Sequence, residues 1–147
     1  MMPRGRSGGA AIRKVCNMQN EFSRTEMLLG KRAMETIAGA RVAVFGIGGV
    51  GSFAAEALAR AGVGAIDLFD NDTVCLTNIN RQLIALHSTI GRKKVEVMRE
   101  RILDIHPQCK VVAWNCFYGA DNAQEFDLAG YDYIVDAIDT VSSKLIL

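Results

Sequence analysis

The sequence predicts an α/β protein with a doubly wound, mostly parallel sheet. Three observations carry that prediction. Short apolar runs alternate with helical periods from residue 41 onward, the pattern of βαβ units. The first run, Arg41 to Ile47, is continuously apolar rather than alternating, as in a parallel strand covered on both faces. Half of the 147 residues are apolar and 22% are charged, which suits one folded core and excludes a disordered chain.

Each element follows in order. Residues 1–20 have no apolar periodicity, and Gly5, Ser7, Gly8 and Gly9 mark a flexible basic extension, with Met18 as an alternative start. An ordered domain is expected over 21–147. Ser23-Arg24-Thr25-Glu26 spells a capping box, so one helix is expected to about Ala38, burying Met27, Leu28, Met34 and Ile37. Arg41 to Ile47 is the first strand. Val50 to Ala61 is a helix whose alanines let it sit close to a sheet, ended by Gly62 and Gly64. Ala65 to Asp70 is the second strand, followed by a polar loop and a short helix near Asn80 to Leu86. Lys93 to Ile105 is amphipathic, buries Val95, Met98, Ile102 and Ile105, and is closed by Pro107. Lys110 to Cys116 is the third strand, Asp121 to Leu128 a short helix, and Tyr131 to Ile138 the fourth strand. Right-handed crossovers then give the strand order 3-2-1-4. The sequence ends just as a helix after the fourth strand begins, so it is expected to be the front part of a longer protein.

Charge is balanced overall at +1 but unevenly spread. Met1 to Lys14 holds four basic and no acidic residues, Arg92 to Arg101 five basic and two acidic, and Ala120 to Thr140 six acidic and no basic. Separate solvated faces would also explain this. The four cysteines, Cys16, Cys75, Cys109 and Cys116, form no Cys-x-x-Cys pair, which argues against a zinc knuckle and for a reducing compartment. No apolar run is long enough for a transmembrane helix, and the basic N-terminus lacks the apolar core of a signal peptide, so a cytoplasmic protein is expected.

The chemistry concentrates at the first strand-to-helix turn. Gly46-Ile47-Gly48-Gly49-Val50-Gly51 fits G-x-G-x-x-G, and Asp70 ends the next strand nineteen residues after Gly51. In a Rossmann-like fold Gly46 permits the turn, Gly48 lets backbone approach phosphate, and Gly51 brings helix to strand. Free N–H groups at the helix start attract a phosphate chain, and Asp70 can accept from ribose hydroxyls. Two ligands remain open on these residues: a nicotinamide cofactor in an NAD-dependent oxidoreductase, or ATP in an adenylating enzyme. Only the second needs cations around a triphosphate. Those follow, in Asn78-Ile79-Asn80-Arg81-Gln82 and Gly91-Arg92-Lys93-Lys94, with Arg81 expected on the short helix and Lys94 at the start of the next. Asp139, at the tip of the fourth strand beside the switch point, can hold magnesium against phosphate oxygens. Singly, Arg81 and Lys94 also fit solvated helix cations, and Asp139 an N-cap.

These motifs resemble the ubiquitin-activating-enzyme-like superfamily of the ThiF/MoeB/HesA type. Arg24, the GIGGVGS loop, DNDTV, NINRQ, GRKKVE and DAIDT carry the resemblance, from about Glu21 to the last residue. Within it, FSRTEMLLG, CLTNINRQ and YDYIVDAIDTVSSK are most similar to the tRNA threonylcarbamoyladenosine dehydratase branch. The resemblance implies that Gly46, Gly48, Gly49 and Gly51 cradle ATP and Asp70 binds its ribose. It implies that Asn78, Arg81, Gln82 and Lys94 contact the phosphates or order the site around them, and that Asp139 binds magnesium. Arg24 would reach the ATP of a neighbouring subunit, which implies a homodimer. The implied reaction is adenylation of a carboxylate, in this branch that of tRNA carrying threonylcarbamoyladenosine, followed by cyclisation with loss of AMP. An activator of a ubiquitin-like sulfur-carrier protein would use the same ATP chemistry.

Overall fold

The computed structural model describes residues 20–147; the extension expected to be flexible over 1–20 lies, but for its last residue, outside the described residues, as do Cys16 and the alternative start at Met18. Four strands, β1 (Arg41–Phe45), β2 (Ala65–Phe69), β3 (Lys110–Trp114) and β4 (Tyr133–Asp136), form one parallel sheet in the order β3-β2-β1-β4. This is the predicted order. The register sets Phe45 beside Phe69 and Asp136, and Phe69 beside Trp114, so all four strands end in one row. Turns leaving that row share one rim of the sheet, and the glycine loop is one of them.

Ahead of the sheet the single expected helix is two: α1 (Ser23–Leu29) and α2 (Lys31–Gly39). Gly30 separates them with φ +82°, a left-handed conformation that glycine adopts without a Cβ clash. The expected capping box does not form. Ser23 is already helical, and Asn20 instead accepts from the Phe22 N–H at 2.9 Å while its own N–H donates to Ser23 Oγ at 2.9 Å. Met27 and Leu28, expected in the core, are 85% and 83% exposed, because no described residue covers that side of α1. The anchor is Phe22, edge-on to the His106 ring at 4.8 Å and packed over Gly62.

One face of the sheet is aliphatic. Val42, Val44, Ile66 and Leu68 meet α3 (Gly51–Ala61) and α4 (Lys94–Ile105). Ala55 and Ala59, one helical turn apart, are fully buried where α3 lies on the strands, and Val95, Met98 and Ile102 fill the α4 side as predicted. The other face is aromatic. Phe45 stacks on Phe69 at 4.2 Å, Trp114 lies parallel to Phe69 at 5.9 Å, and Phe126 and Tyr118 meet the stack edge-on or tilted. No long helix covers it. The helix expected over Asp121 to Leu128 is two single turns, Ala123–Glu125 and Leu128–Gly130. Asn122 and Asp127 side chains accept from the Gly119 and Ala129 N–H groups, and such local bonds compete with helix. β3 and β4 are accordingly half-covered, while β1 is buried on both sides as its apolar run predicts, and β2 with it.

Among the described residues no helix is long and apolar enough to cross a membrane.

Candidate functional site

The rim where the strands end opens into a cleft of about 510 Å³, lined by the glycine loop and by the turns after β2, β3 and β4. Its floor is shaped by two glycines. A Cβ on Gly46, at φ +87°, would stand 2.6 Å from the Ala137 carbonyl oxygen, and one on Gly51 would stand 1.7 Å from the Gly46 oxygen. Any side chain there separates β1 from β4 or α3 from β1. Gly48 differs: a Cβ would meet only the Gln82 amide nitrogen, at 3.8 Å, and would otherwise fill open space. Among the described residues no protein acceptor takes the N–H groups of Gly48, Gly49 and Val50. Unpaired amides at the start of an eleven-residue helix form a binding place for an anion. Buried Ser52 fixes the loop by donating to the Gly48 oxygen at 2.6 Å and accepting from the Leu83 N–H at 3.2 Å.

Asp70 is more engaged than the sequence suggests. Its carboxylate accepts from the Ile47 N–H at 2.7 Å and the Asp72 N–H at 2.8 Å, tying the glycine loop to the turn after β2. Burial pushes its carboxyl above the ordinary carboxylate range, against the opposing pull of those N–H groups and of Lys94. Lys94 does begin α4, but it is not a solvated cation. Its side chain is 6% exposed, and Nζ lies 2.7 Å from Asp72 and 3.9 Å from Asp70. Asp72 is therefore a site residue that sequence reasoning passed over; the repeated acid in Asp70-Asn71-Asp72 was the available signal.

Arg81 lines the cleft against Gly49, but it sits in an irregular turn and not on a helix. The helix expected over Asn80 to Leu86 is absent because side chains capture its backbone. Ser52 Oγ accepts from the Leu83 N–H and Thr89 Oγ1 from the Leu86 N–H, while ahead of the segment Asn78 Oδ1 accepts from the Cys75 N–H. One-turn helices Leu76–Asn78 and His87–Thr89 flank the segment. The Arg81 guanidinium donates to the Thr77 oxygen at 3.2 Å and to Asn80 at 2.9 Å, leaving further donors free. Asn78 is outside the cleft lining and orders this turn. Gln82 is buried inside the lining, with Oε1 unpartnered.

Beyond β4, α5 (Val141–Lys144) starts after Thr140, with no side-chain cap. Asp139 thus does not cap the helix. Its exposed carboxylate accepts only from Thr140 Oγ1, at 3.4 Å, and lines the cleft. Asp136 is the residue that ties α5 down, pairing with Lys144 at 2.7 Å, a contact that holds its carboxyl below the usual range. Ser143, fully buried, also lines the cleft with an unpartnered Oγ.

One space therefore gathers Gly46, Gly48, Gly49, Asp70, Arg81, Gln82, Lys94 and Asp139. It does not include Gly51, which acts from beneath, Asn78, or Arg24, exposed on α1. The cleft also includes Cys116, Phe117 and Tyr118 from the turn after β3, which no motif flagged. Two cations face three carboxylates here, so a polyphosphate needs positive charge from elsewhere. Among the described residues no three His, Cys, Asp or Glu side chains are placed to hold a metal ion together.

Comparison with known proteins identifies the family. The family model described as the ThiF family matches residues 22–147. The chain is 52% identical over 128 residues to tRNA threonylcarbamoyladenosine dehydratase of Bacillus subtilis, a match covering 87% of this chain and 50% of that protein. It is 38% identical over 110 residues to molybdopterin-synthase adenylyltransferase of Salmonella typhimurium, over 75% of this chain and 44% of that protein. The crystal structure of Escherichia coli tRNA N6-threonylcarbamoyladenosine dehydratase in complex with ATP superimposes with a TM-score of 0.84 at 50% identity, over 86% of this chain and 52% of that one. The chain thus spans about half the length of the dehydratases it matches.

Proposed function

This chain belongs to the ThiF family, and from that premise we propose that its cleft binds ATP and magnesium to adenylate the carboxylate of threonylcarbamoyladenosine in tRNA. The observation that carries the reading is the meeting, in one cleft, of unpaired glycine-loop amides, the Arg81 guanidinium and the uncapped Asp139 carboxylate. Gly46, Gly48, Gly49 and Gly51 shape the phosphate seat, and the remaining lone pairs of Asp70 accept from the ribose. Gln82 offers its unpartnered oxygen, while Asn78 holds the turn that presents Arg81. Magnesium at Asp139 would supply charge neutralisation to the phosphates.

The substrate carboxylate attacks the α-phosphorus, forming a C–O–P linkage as pyrophosphate leaves with the α–β bridging oxygen. The activated carbonyl is then attacked from within the threonylcarbamoyl group, closing the ring as AMP departs, with net loss of water from the RNA. Arg81 and Lys94 offset charge at phosphorus, and loss of one such donor costs on the order of 10²-fold in rate. The excess of acid in the cleft favours help from a partner subunit, and Arg24, exposed on α1, fits that role in a homodimer. Among the described residues Cys75, Cys109 and Cys116 are free thiols, which suits a cytoplasmic setting.

Substrate-dependent pyrophosphate exchange is the test, with threonylcarbamoyladenosine-bearing tRNA and a ubiquitin-like sulfur-carrier protein offered separately. Exchange with tRNA alone is expected. Exchange with the carrier alone would transfer the reading to a sulfur-carrier activator, and tight NAD binding without ATP binding would return it to an oxidoreductase. Asp139→Asn is expected to lower magnesium-dependent exchange far more than thermal stability.

A further inference from the structure

A buried imidazole lies at the opposite end of the sheet from the cleft. His106 ends α4 just before β3 begins, and it is 8% exposed. Its Nδ1 is shielded from solvent and has no hydrogen-bond partner. Glu21 Oε1 stands 3.9 Å from that nitrogen, within ion-pair reach but beyond hydrogen-bond length. The next residue, Phe22, meets the imidazole edge-on at 4.8 Å. Two consecutive residues thus meet one ring. They lead straight into α1, which buries no residue of its own and is broken from α2 at Gly30. The tie to the sheet is therefore this step, with Phe22 seated on Gly62, where a Cβ would come within 3.3 Å of its ring.

The charges around the imidazole favour a cation. The segment ahead of α1 contributes Glu21, and α4 contributes the negative end of its own dipole. From β3 comes Lys110, which shares with His106 and Gln108 a shallow cavity of about 340 Å³, otherwise walled by alanines and glycines of α2 and β2. Lys110 opposes the proton, but it is exposed and its charge is screened by solvent. We propose that His106 is a proton-operated latch for α1, and through it a positioning residue for Arg24. A neutral ring offers Glu21 at most a dipole; a protonated one donates to it and adds an ion pair to the Phe22 contact. An imidazole changes charge between about pH 5 and 8, where a carboxylate stays ionised, so the latch tightens as pH falls through that range. The latch stands on this geometry, and its effect on the reaction rests on the role given to Arg24 above.

Hydrogen exchange on the full chain is the test, read as protection of the Glu26 and Gly30 amides, which bond to the Phe22 and Glu26 oxygens. Amides of α3 serve as reference. In the wild type, α1 protection relative to α3 is expected to be about 3-fold higher near pH 5.5 than near pH 8, the scale of a half-exposed ion pair. Glu21→Gln, at an exposed position, is expected to abolish that difference and leave α3 unchanged. His106→Phe keeps a ring for Phe22 and is expected to hold α1 at one level across the range. No pH dependence in the wild type, or one that survives Glu21→Gln, would overturn the latch. ATP affinity at the same two pH values reads the consequence: wild type is expected to exceed Glu21→Gln at the lower one only. A pH-dependent α1 without that difference would keep the latch and count against the role of Arg24. Absence of ATP binding at either pH marks failure of the adenylation reading itself.

Discussion

The two faces of the sheet solve burial with different chemistry. On one, Val42, Val44, Ile66, Leu68, Met98 and Ile102 close an aliphatic core under α3 and α4. On the other, Phe45, Phe69, Trp114 and Phe126 form an aromatic layer roofed by turns, and it contains a charge. Asp67, only 1% exposed, accepts from Arg41 at 2.8 Å, from the Tyr131 hydroxyl at 2.8 Å and from Trp114 Nε1 at 3.1 Å. The aliphatic face holds α3, hence the glycine loop, by apolar packing. The aromatic face is held by directional bonds to one carboxylate, and its covering is partial. Catalytic geometry is therefore expected to depend on the first face, and pH and salt sensitivity on the second.

The sharpest way to break that contrast is Gly51→Ala, where α3 meets β1. With 1.7 Å between the new Cβ and the Gly46 oxygen, the helix must leave the strand. Loss of more than about 4 kcal/mol, or failure to fold, is expected in urea titration. A variant with near wild-type stability would mean that the loop is not held by this contact.

Met98→Ala and Trp114→Ala compare the faces directly. Met98 is fully buried and its truncation should cost about 2–5 kcal/mol. Trp114 is 38% exposed, so despite its greater bulk about 1–3 kcal/mol is expected. Equal or reversed costs by chemical denaturation would show the aromatic face to be as tightly packed as the aliphatic one.

Asp67→Asn probes the charge itself. The amide keeps one acceptor but loses the ion pair with half-exposed Arg41, and about 1–2 kcal/mol is expected. Added salt should shrink the difference, since the guanidinium side is open to solvent. No change in thermal midpoint would place the stability of this face in its rings alone.

What the sequence reveals follows the same division. The strand order, the α4 face and the roles of Gly46 and Gly51 were legible because periodicity and G-x-G-x-x-G spelling are local signals. The aromatic face was not. Asp67 reads as one more residue of the AIDLF strand, and its partners lie 26, 47 and 64 positions away. The short helix over Asn80 to Leu86 failed because Ser52 and Thr89 capture the Leu83 and Leu86 N–H groups, and that over Asp121 to Leu128 is bracketed by Asn122 and Asp127 bonds to the Gly119 and Ala129 N–H groups, choices that apolar spacing does not record. In the site, residue types predicted the cleft lining better than their states: Lys94 was found, but not its burial between Asp70 and Asp72.

The smallest effect separates the faces by pH. Burial first, then donation to Asp67 and its charge, push the Tyr131 hydroxyl up to about 12, against the pull of Arg41. An unfolded tyrosine ionises near 10, so between roughly pH 10 and 12 the unfolded chain binds fewer protons than the folded one. Stability contributed by the Tyr131 proton is thus complete below pH 10 and is lost as pH rises through the folded value. Because Tyr131 is partly exposed, about 1 kcal/mol across that window is expected. Tyr131→Phe removes this loss, while at neutral pH it leaves Asp67 one donor short and costs about 1 kcal/mol. The variant-minus-wild-type difference should therefore narrow as pH climbs, although Tyr118, also raised by burial, keeps some alkaline slope in both proteins. Thermal midpoints of both proteins from pH 8 to 12 provide the check, and parallel curves would mean that Tyr131 ionises alike in both states and that Asp67 does not depend on its proton.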